Sequence, residues 1–121
     1  MFWKKTMIEE LENIKNRFAE GCDKSIDVGI GWHPIIISLD KALFSIDPEY
    51  KIYQIKQKFG GLRYYCEAKN YGIVKKLISE AETESFNPCE NCGKFGELRN
   101  NKNYVATLCQ ECSLQNLKLV N

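Results

Sequence analysis

No stretch of this sequence approaches the roughly 20 apolar residues that cross a bilayer. Its longest compact aliphatic run is Ile35-Ile36-Ile37, which excludes a spanning helix. An excess of one charge is missing too, since 17 Lys and Arg stand against 16 Asp and Glu. A net charge of +1 gives the whole molecule no pull toward nucleic acid or a membrane surface, so any electrostatic function has to be local. Proline occurs only three times, and with 44% hydrophobic residues the composition is that of a folded chain rather than a disordered one. Histidine occurs once, at His33, with no partnered nucleophile in view, and no nucleophile elbow is present. Catalysis is therefore the least supported class of function. No apolar segment follows Lys4-Lys5, so no secretory leader is expected and the expected location is the cytoplasm.

What is present in quantity is cysteine, six in 121 residues. In a reducing compartment that points to metal before disulfides. Cys89-Glu90-Asn91-Cys92 and Cys109-Gln110-Glu111-Cys112 are two Cys-x-x-Cys pairs separated by residues 93–108, a spacing suited to one four-thiolate site. Two residues between cysteines let a tight knuckle aim both sulfurs at one ion, and Gly93 suits the turn that closes the first. The segments 95–99 and 104–108 are expected to pair as a hairpin between the knuckles, which together make a zinc ribbon. Four thiolates leave no open coordination position, so the ion, Zn2+ or a single iron, has a structural role. Cys22 and Cys66 lie apart from the pairs and are expected to be small core side chains.

The rest of the chain is expected to be α+β: helices packed on a small antiparallel β-hairpin, residues 1–87, followed by the ribbon, 88–121, packed on it. Thr6-Met7-Ile8-Glu9 has the form of a capping box, and Met7, Leu11, Ile14 and Phe18 recur at helical spacing, which predicts a helix over 7–20. Residues 21–33 are expected to form a loop or one short strand. Pro34 opens a second helix with Ile35, Ile36, Leu39, Leu43 and Ile46 inward, ended by Asp47-Pro48. Two β-prone runs flank Gly60-Gly61, which predicts a hairpin with a primed turn and Tyr53, Ile55, Phe59 and Tyr64 in the core. A third helix follows Asn70, with Ile73, Val74, Leu77, Ile78 and Ala81 on its apolar face.

Residues 51–76 carry seven basic side chains against Glu67 alone. Alternation along a strand puts Gln54, Lys56 and Lys58 on one face, with Arg63 and Tyr65 across the turn. Each lysine taken singly reads as the solvated side of an amphipathic hairpin; cations and rings together are what phosphates and bases need. Gly29 and Gly31, ahead of a helix, are expected to present amides to an anion, with Trp32 and His33 beside them. The candidate ligand residues are thus Lys56, Lys58, Arg63, Tyr65, Trp32 and His33.

The strings Gly31-Trp32-x-Pro34-Ile35, Gln54-Ile55-Lys56-x-Lys58-Phe59-Gly60-Gly61-Leu62-Arg63-Tyr64-Tyr65, Cys89-Glu90-x-Cys92-Gly93 and Cys109-x-x-Cys112 together resemble a group of small uncharacterised proteins of bacteria and their phages. The resemblance covers residues 29–112 and implies that hairpin and ribbon belong together in a phage or mobile-element setting. It implies no activity. Three functions fit the residues. The first is a non-catalytic binder of a nucleotide or short oligonucleotide, able to sequester a nucleotide signal of host defence. The second is a ribbon that tracks nucleic acid, and the third is an adaptor that holds a protein partner through Phe2, Trp3 and Phe95, with Leu114, Leu117 and Leu119 as a covering or dimer surface.

Overall fold

The computed structural model describes residues 2–101 and 104–114, and the side chains of these except residues 2–6 and Asn101. Phe2, Trp3, Leu117 and Leu119 as contact residues, and the Thr6 cap side chain, lie outside what is described. The order is α1 (Phe2–Asn16), β1 (Ile26–Asp27), a 3-10 turn (Ile30–Trp32), α2 (His33–Ile46), β2 (Lys51–Lys58), β3 (Gly61–Glu67), α3 (Tyr71–Glu84), β4 (Glu97–Asn101) and β5 (Tyr104–Leu108). The α+β class and the succession of helices, hairpin and ribbon are as the sequence indicates. Among the described residues no helix is long and apolar enough to cross a membrane.

β2 is the centre of a three-stranded sheet in the order β1-β2-β3, with β1 parallel and β3 antiparallel to it. The first helix spans Phe2–Asn16, not 7–20. Beyond it the backbone runs beside β2: Ala19 N donates to Ile52 O at 2.8 Å and Ile52 N to Arg17 O at 3.0 Å. A strand with free backbone groups competes with one more helical turn and wins, and it carries Phe18 into the core at 3% exposure. Register along β2 and β3 breaks at Tyr53, which bulges between the Ile52–Cys66 and Gln54–Tyr65 pairs. The bulge lets Ile52 and Ile55 both point inward although they lie three apart, and leaves Tyr53 42% exposed rather than in the core.

α2 and α3 cover the inner face of this sheet. Ile36, Leu43, Ile52, Ile55 and Leu62 are fully buried there with Trp32, Tyr50 and Tyr64. Of the apolar side chains expected inward on α3, Val74 and Ala81 are buried, Leu77 and Ile78 partly so, and Ile73 faces solvent. One polar cluster interrupts the core. Asp40, 4% exposed, accepts from Arg17 Nε at 2.7 Å and Arg17 Nη2 at 3.1 Å, and from the Tyr50 hydroxyl. The Tyr50 and Tyr64 hydroxyls are 2.7 Å apart, and Arg17 stacks 4.2 Å over the Phe44 ring. Burial raises both tyrosines well above the ordinary phenol, so they stay neutral and act as hydrogen-bonding links. The outer edge of β3 is also occupied: Leu62 N donates to Ser85 Oγ at 2.9 Å and Tyr64 N to Glu82 Oε2 at 3.1 Å, both acceptors coming from α3 or its cap.

Candidate metal centre and basic sheet face

β4 and β5 pair antiparallel from Glu97–Leu108 to Asn101–Tyr104, and the two knuckles close over one end of this hairpin. In the first knuckle Gly93 N donates to Cys89 O at 2.8 Å, and Gly93 takes φ +85°, the left-handed geometry that allows the chain to turn back. In the second, Cys112 N points at Cys109 Sγ at 3.4 Å, and residues 110–114 are helical. The four sulfurs of Cys89, Cys92, Cys109 and Cys112 all lie within 4.8 Å of one another. A tetrahedron with metal–sulfur bonds of about 2.3 Å has sulfurs about 3.8 Å apart, and Cys92 Sγ lies 3.7 Å from Cys109 Sγ. By geometry and by donor type the cluster can hold a metal ion.

The proximity of the four thiols opposes their joint ionisation. Burial opposes the Cys89 thiolate, yet backbone N–H groups of Cys109, Cys92 and Asn91 outweigh it and bring the thiol down to about 7. Burial and the neighbouring sulfurs push Cys112 the other way, up to about 12. Four sulfurs this close do not all ionise unless a positive ion sits among them.

The ribbon meets the rest of the chain in two places. At the first, Glu90 O accepts from Gly31 N at 2.7 Å and Glu90 Oε2 from Gly29 N at 2.9 Å, while Glu90 N is held within the ribbon by the Thr107 carbonyl at 2.9 Å. A Cβ on Gly31 would lie 2.0 Å from Cys89 O, so only glycine admits the knuckle's backbone. The Gly29 and Gly31 amides, expected to receive an external anion, are thus engaged by the chain's own Glu90. Trp32 locks the same contact: it has no exposed surface, and its Nε1–H donates to Pro88 O at 3.0 Å. Trp32 is therefore a core side chain that presents no face to a ligand. At the second place, Thr107 Oγ1 donates to Gly60 O and Gln57 Nε2 to Val105 O, each at 2.7 Å, which fastens the tip of the β2–β3 hairpin.

That hairpin displays the basic residues. Register sets Lys56 directly across from Arg63 and Gln54 across from Tyr65, and Lys58 pairs with Gly61 beside the turn. The face opposite the core thus gathers Gln54, Lys56, Lys58, Arg63 and Tyr65, as alternation predicts. Asp27 of β1 flanks Lys56 on its other side, and its carboxylate accepts from the Ser25 hydroxyl. Arg63 Nη1 donates to Leu62 O at 3.2 Å. Among the described residues neither Lys56 nor Arg63 lies within 4.0 Å of a carboxylate, the only ion pairs being Lys15–Glu12, Arg17–Asp40 and Lys41–Glu10. His33 stands elsewhere, as the first residue of α2, with Val28 and Lys15 for neighbours. Burial holds its pKa below the ordinary value, so near neutrality it is an uncharged imidazole.

Two features escaped the sequence. Asp40 is buried in the apolar stripe of α2, and its place between Leu39 and Leu43 in the sequence was the available signal. Glu90 gave none, as a middle residue of Cys-x-x-Cys with its partner 61 positions away. No known protein family, curated protein or solved structure matches this chain.

Proposed function

We propose that this is a non-catalytic zinc-ribbon protein that binds a phosphate-bearing ligand on the outer face of its β2–β3 hairpin. The observation that carries the reading is the direct opposition of Lys56 and Arg63. Like charges facing each other across two strands destabilise a sheet, and an anion bound between them reverses the sign of that interaction. Arg63 supplies a planar fork for phosphate oxygens, Lys56 and Lys58 supply point charges, and Tyr65, 42% exposed, supplies a ring. In the cage, Zn2+ suits four thiolates in a closed tetrahedral set better than oxygen-seeking ions do. Its role there is to hold the two knuckles together, and a reducing cytoplasm keeps the thiols available for it. No residue on this face has the paired acid, base or nucleophile that a reaction needs.

The test is native mass spectrometry of freshly purified protein beside its denatured mass, for wild type and Arg63→Glu. The expected result is one zinc in both, and a co-purified phosphate-bearing mass in wild type alone. Equal ligand occupancy in the two proteins refutes the assignment of this face. A second reading, an adaptor for a protein partner, has one observation of its own, the 74% exposure of the Phe95 ring beside the first knuckle.

A further inference from the structure

The turn of the same hairpin holds a residue that folding alone does not explain. Phe59 and Gly60 are its central pair, with φ of +53° and +83°. This is the primed geometry, one residue earlier than the Gly60-Gly61 pair suggests. Glycine, asparagine and aspartate take such angles with little strain, whereas a bulky aromatic is an outlier. Burial does not compensate, because the Phe59 ring is 68% exposed, not in the core as alternation implies. Its neighbour is Lys58, whose Nζ lies 5.7 Å from the ring centroid. A strained residue that offers an open ring beside a cation is the kind of outlier from which a functional contact is inferred.

Tyr65 stands at the other end of the face. The five strand residues from Gly61 to Tyr65 span about 13 Å, so one base cannot lie on both rings. Lys58, Arg63 and Lys56 occupy the interval. Beyond Tyr65 a groove of 340 Å³ continues between β3 and α3, with Tyr71 and Lys75 on its wall. Rings alternating with cations along an open sheet are how extended strands are held, since every base has a face to stack and every linkage a phosphate. The bases of a duplex are already stacked and do not reach such rings. Resting on the reading above, we propose that this face takes a single-stranded oligonucleotide of at least two nucleotides, with one base on Phe59, another on Tyr65, and the intervening phosphates on Lys58, Arg63 and Lys56.

The experiment is fluorescence anisotropy with a labelled single-stranded DNA octamer of mixed sequence. The competitors are the matching duplex, thymidine monophosphate and polyglutamate, and Tm is recorded for every variant. The octamer is expected to bind, with each competitor at least tenfold weaker. Phe59→Asn suits the left-handed turn and removes the ring, so its Tm is expected to hold or rise while octamer affinity falls about tenfold. A ring with only a packing role gives the opposite pattern, a lower Tm with unchanged affinity, and overturns the proposal. If thymidine monophosphate competes as well as the octamer and Arg63→Glu abolishes both, the phosphate reading stands and the oligonucleotide is overturned. Equal competition by polyglutamate shows a face that reads charge alone and overturns it as well. Absence of octamer binding to wild type, with a phosphate-bearing mass lost only in Arg63→Glu by mass spectrometry, overturns the oligonucleotide alone; absence of both overturns the two readings together.

Discussion

The helix–sheet part gathers fifteen buried side chains into one cluster running from Ile14 to Ala81, whereas the buried cluster of the ribbon consists of Cys89, Ala106 and Leu108. The first region holds together by removing apolar surface from water, at roughly 25 cal/mol per Å². The second is too small for that and depends on its cysteine cage and on what it touches. Its hydrogen bonds with the larger region each use a backbone group on at least one side: Glu90 on Gly29 and Gly31, Trp32 on Pro88, Thr107 on Gly60. The lesson is that the ribbon is the dependent partner, and the hairpin tip and the 29–31 turn are where its loss is felt.

The largest expected effect breaks this pairing at the metal. Apparent binding energies for structural zinc are about 10–16 kcal/mol in small fingers, so Cys92→Ser or a chelator is expected to unfold β4 and β5 outright. Hydrogen exchange followed by mass spectrometry should show the Gly29 and Gly31 amides, which lose Glu90, becoming labile while Ile52, Ile55 and Leu62 stay protected. A variant that keeps its metal and its Tm removes the cage from the account; uniform loss of protection shows that the two regions are one cooperative unit.

An intermediate effect is expected from the opposite side. Asp40→Ala strips Arg17 and Tyr50 of their shared acceptor, and breaking such a pair costs about 3 kcal/mol, at the low end of the range because Arg17 keeps a fifth of its side chain exposed. Urea denaturation should report that loss with metal content unchanged. Displacement of the metal by this substitution would mean the regions are coupled through the core and not through Glu90.

The smallest effect concerns Asp47, which caps α2 and accepts from Glu49 N at 3.0 Å and Lys69 N at 2.9 Å. The Lys69 and Glu49 amides hold its carboxyl below the ordinary value of 3.8. A depressed folded pKa contributes stability above the unfolded value and loses it as pH falls through the folded one. Asp47→Asn turns one acceptor into a donor facing an N–H, so its Tm should lie below wild type at pH 7, with the gap closing below pH 3.8. A gap that is flat in pH would remove the carboxylate's charge from the explanation.

What was legible in the sequence was local. Paired cysteines, the hairpin with its primed turn, and the Pro34 start and Asp47-Pro48 stop of α2 all depend on residues a few positions apart. The errors share the opposite property. The end of α1 is decided by backbone bonds to Ile52, and the side that Tyr53 takes is decided by a bulge in register with Cys66 and Tyr65. Of the two amides read as an anion site, Gly29 N does meet a carboxylate, supplied from position 90, while Gly31 N is taken by the main-chain carbonyl of the same residue. Side-chain alternation placed Lys56, Arg63 and Tyr65 on one face correctly because it needs only the strand's period, whereas the exposure of Phe59 depends on which two residues turn the corner.

The edge of β3 has a further consequence. A sheet ending in bare amides invites another extended segment to add itself, and copies of one chain can grow on each other in that way. Here Ser85 and Glu82 have already taken the Leu62 and Tyr64 donors. On the β3 side the sheet therefore ends where α3 closes it, and a like molecule finds these two donors of that edge already taken. That edge presents the side chains of α3 and its cap, rather than the free Leu62 and Tyr64 amides, to anything that approaches it.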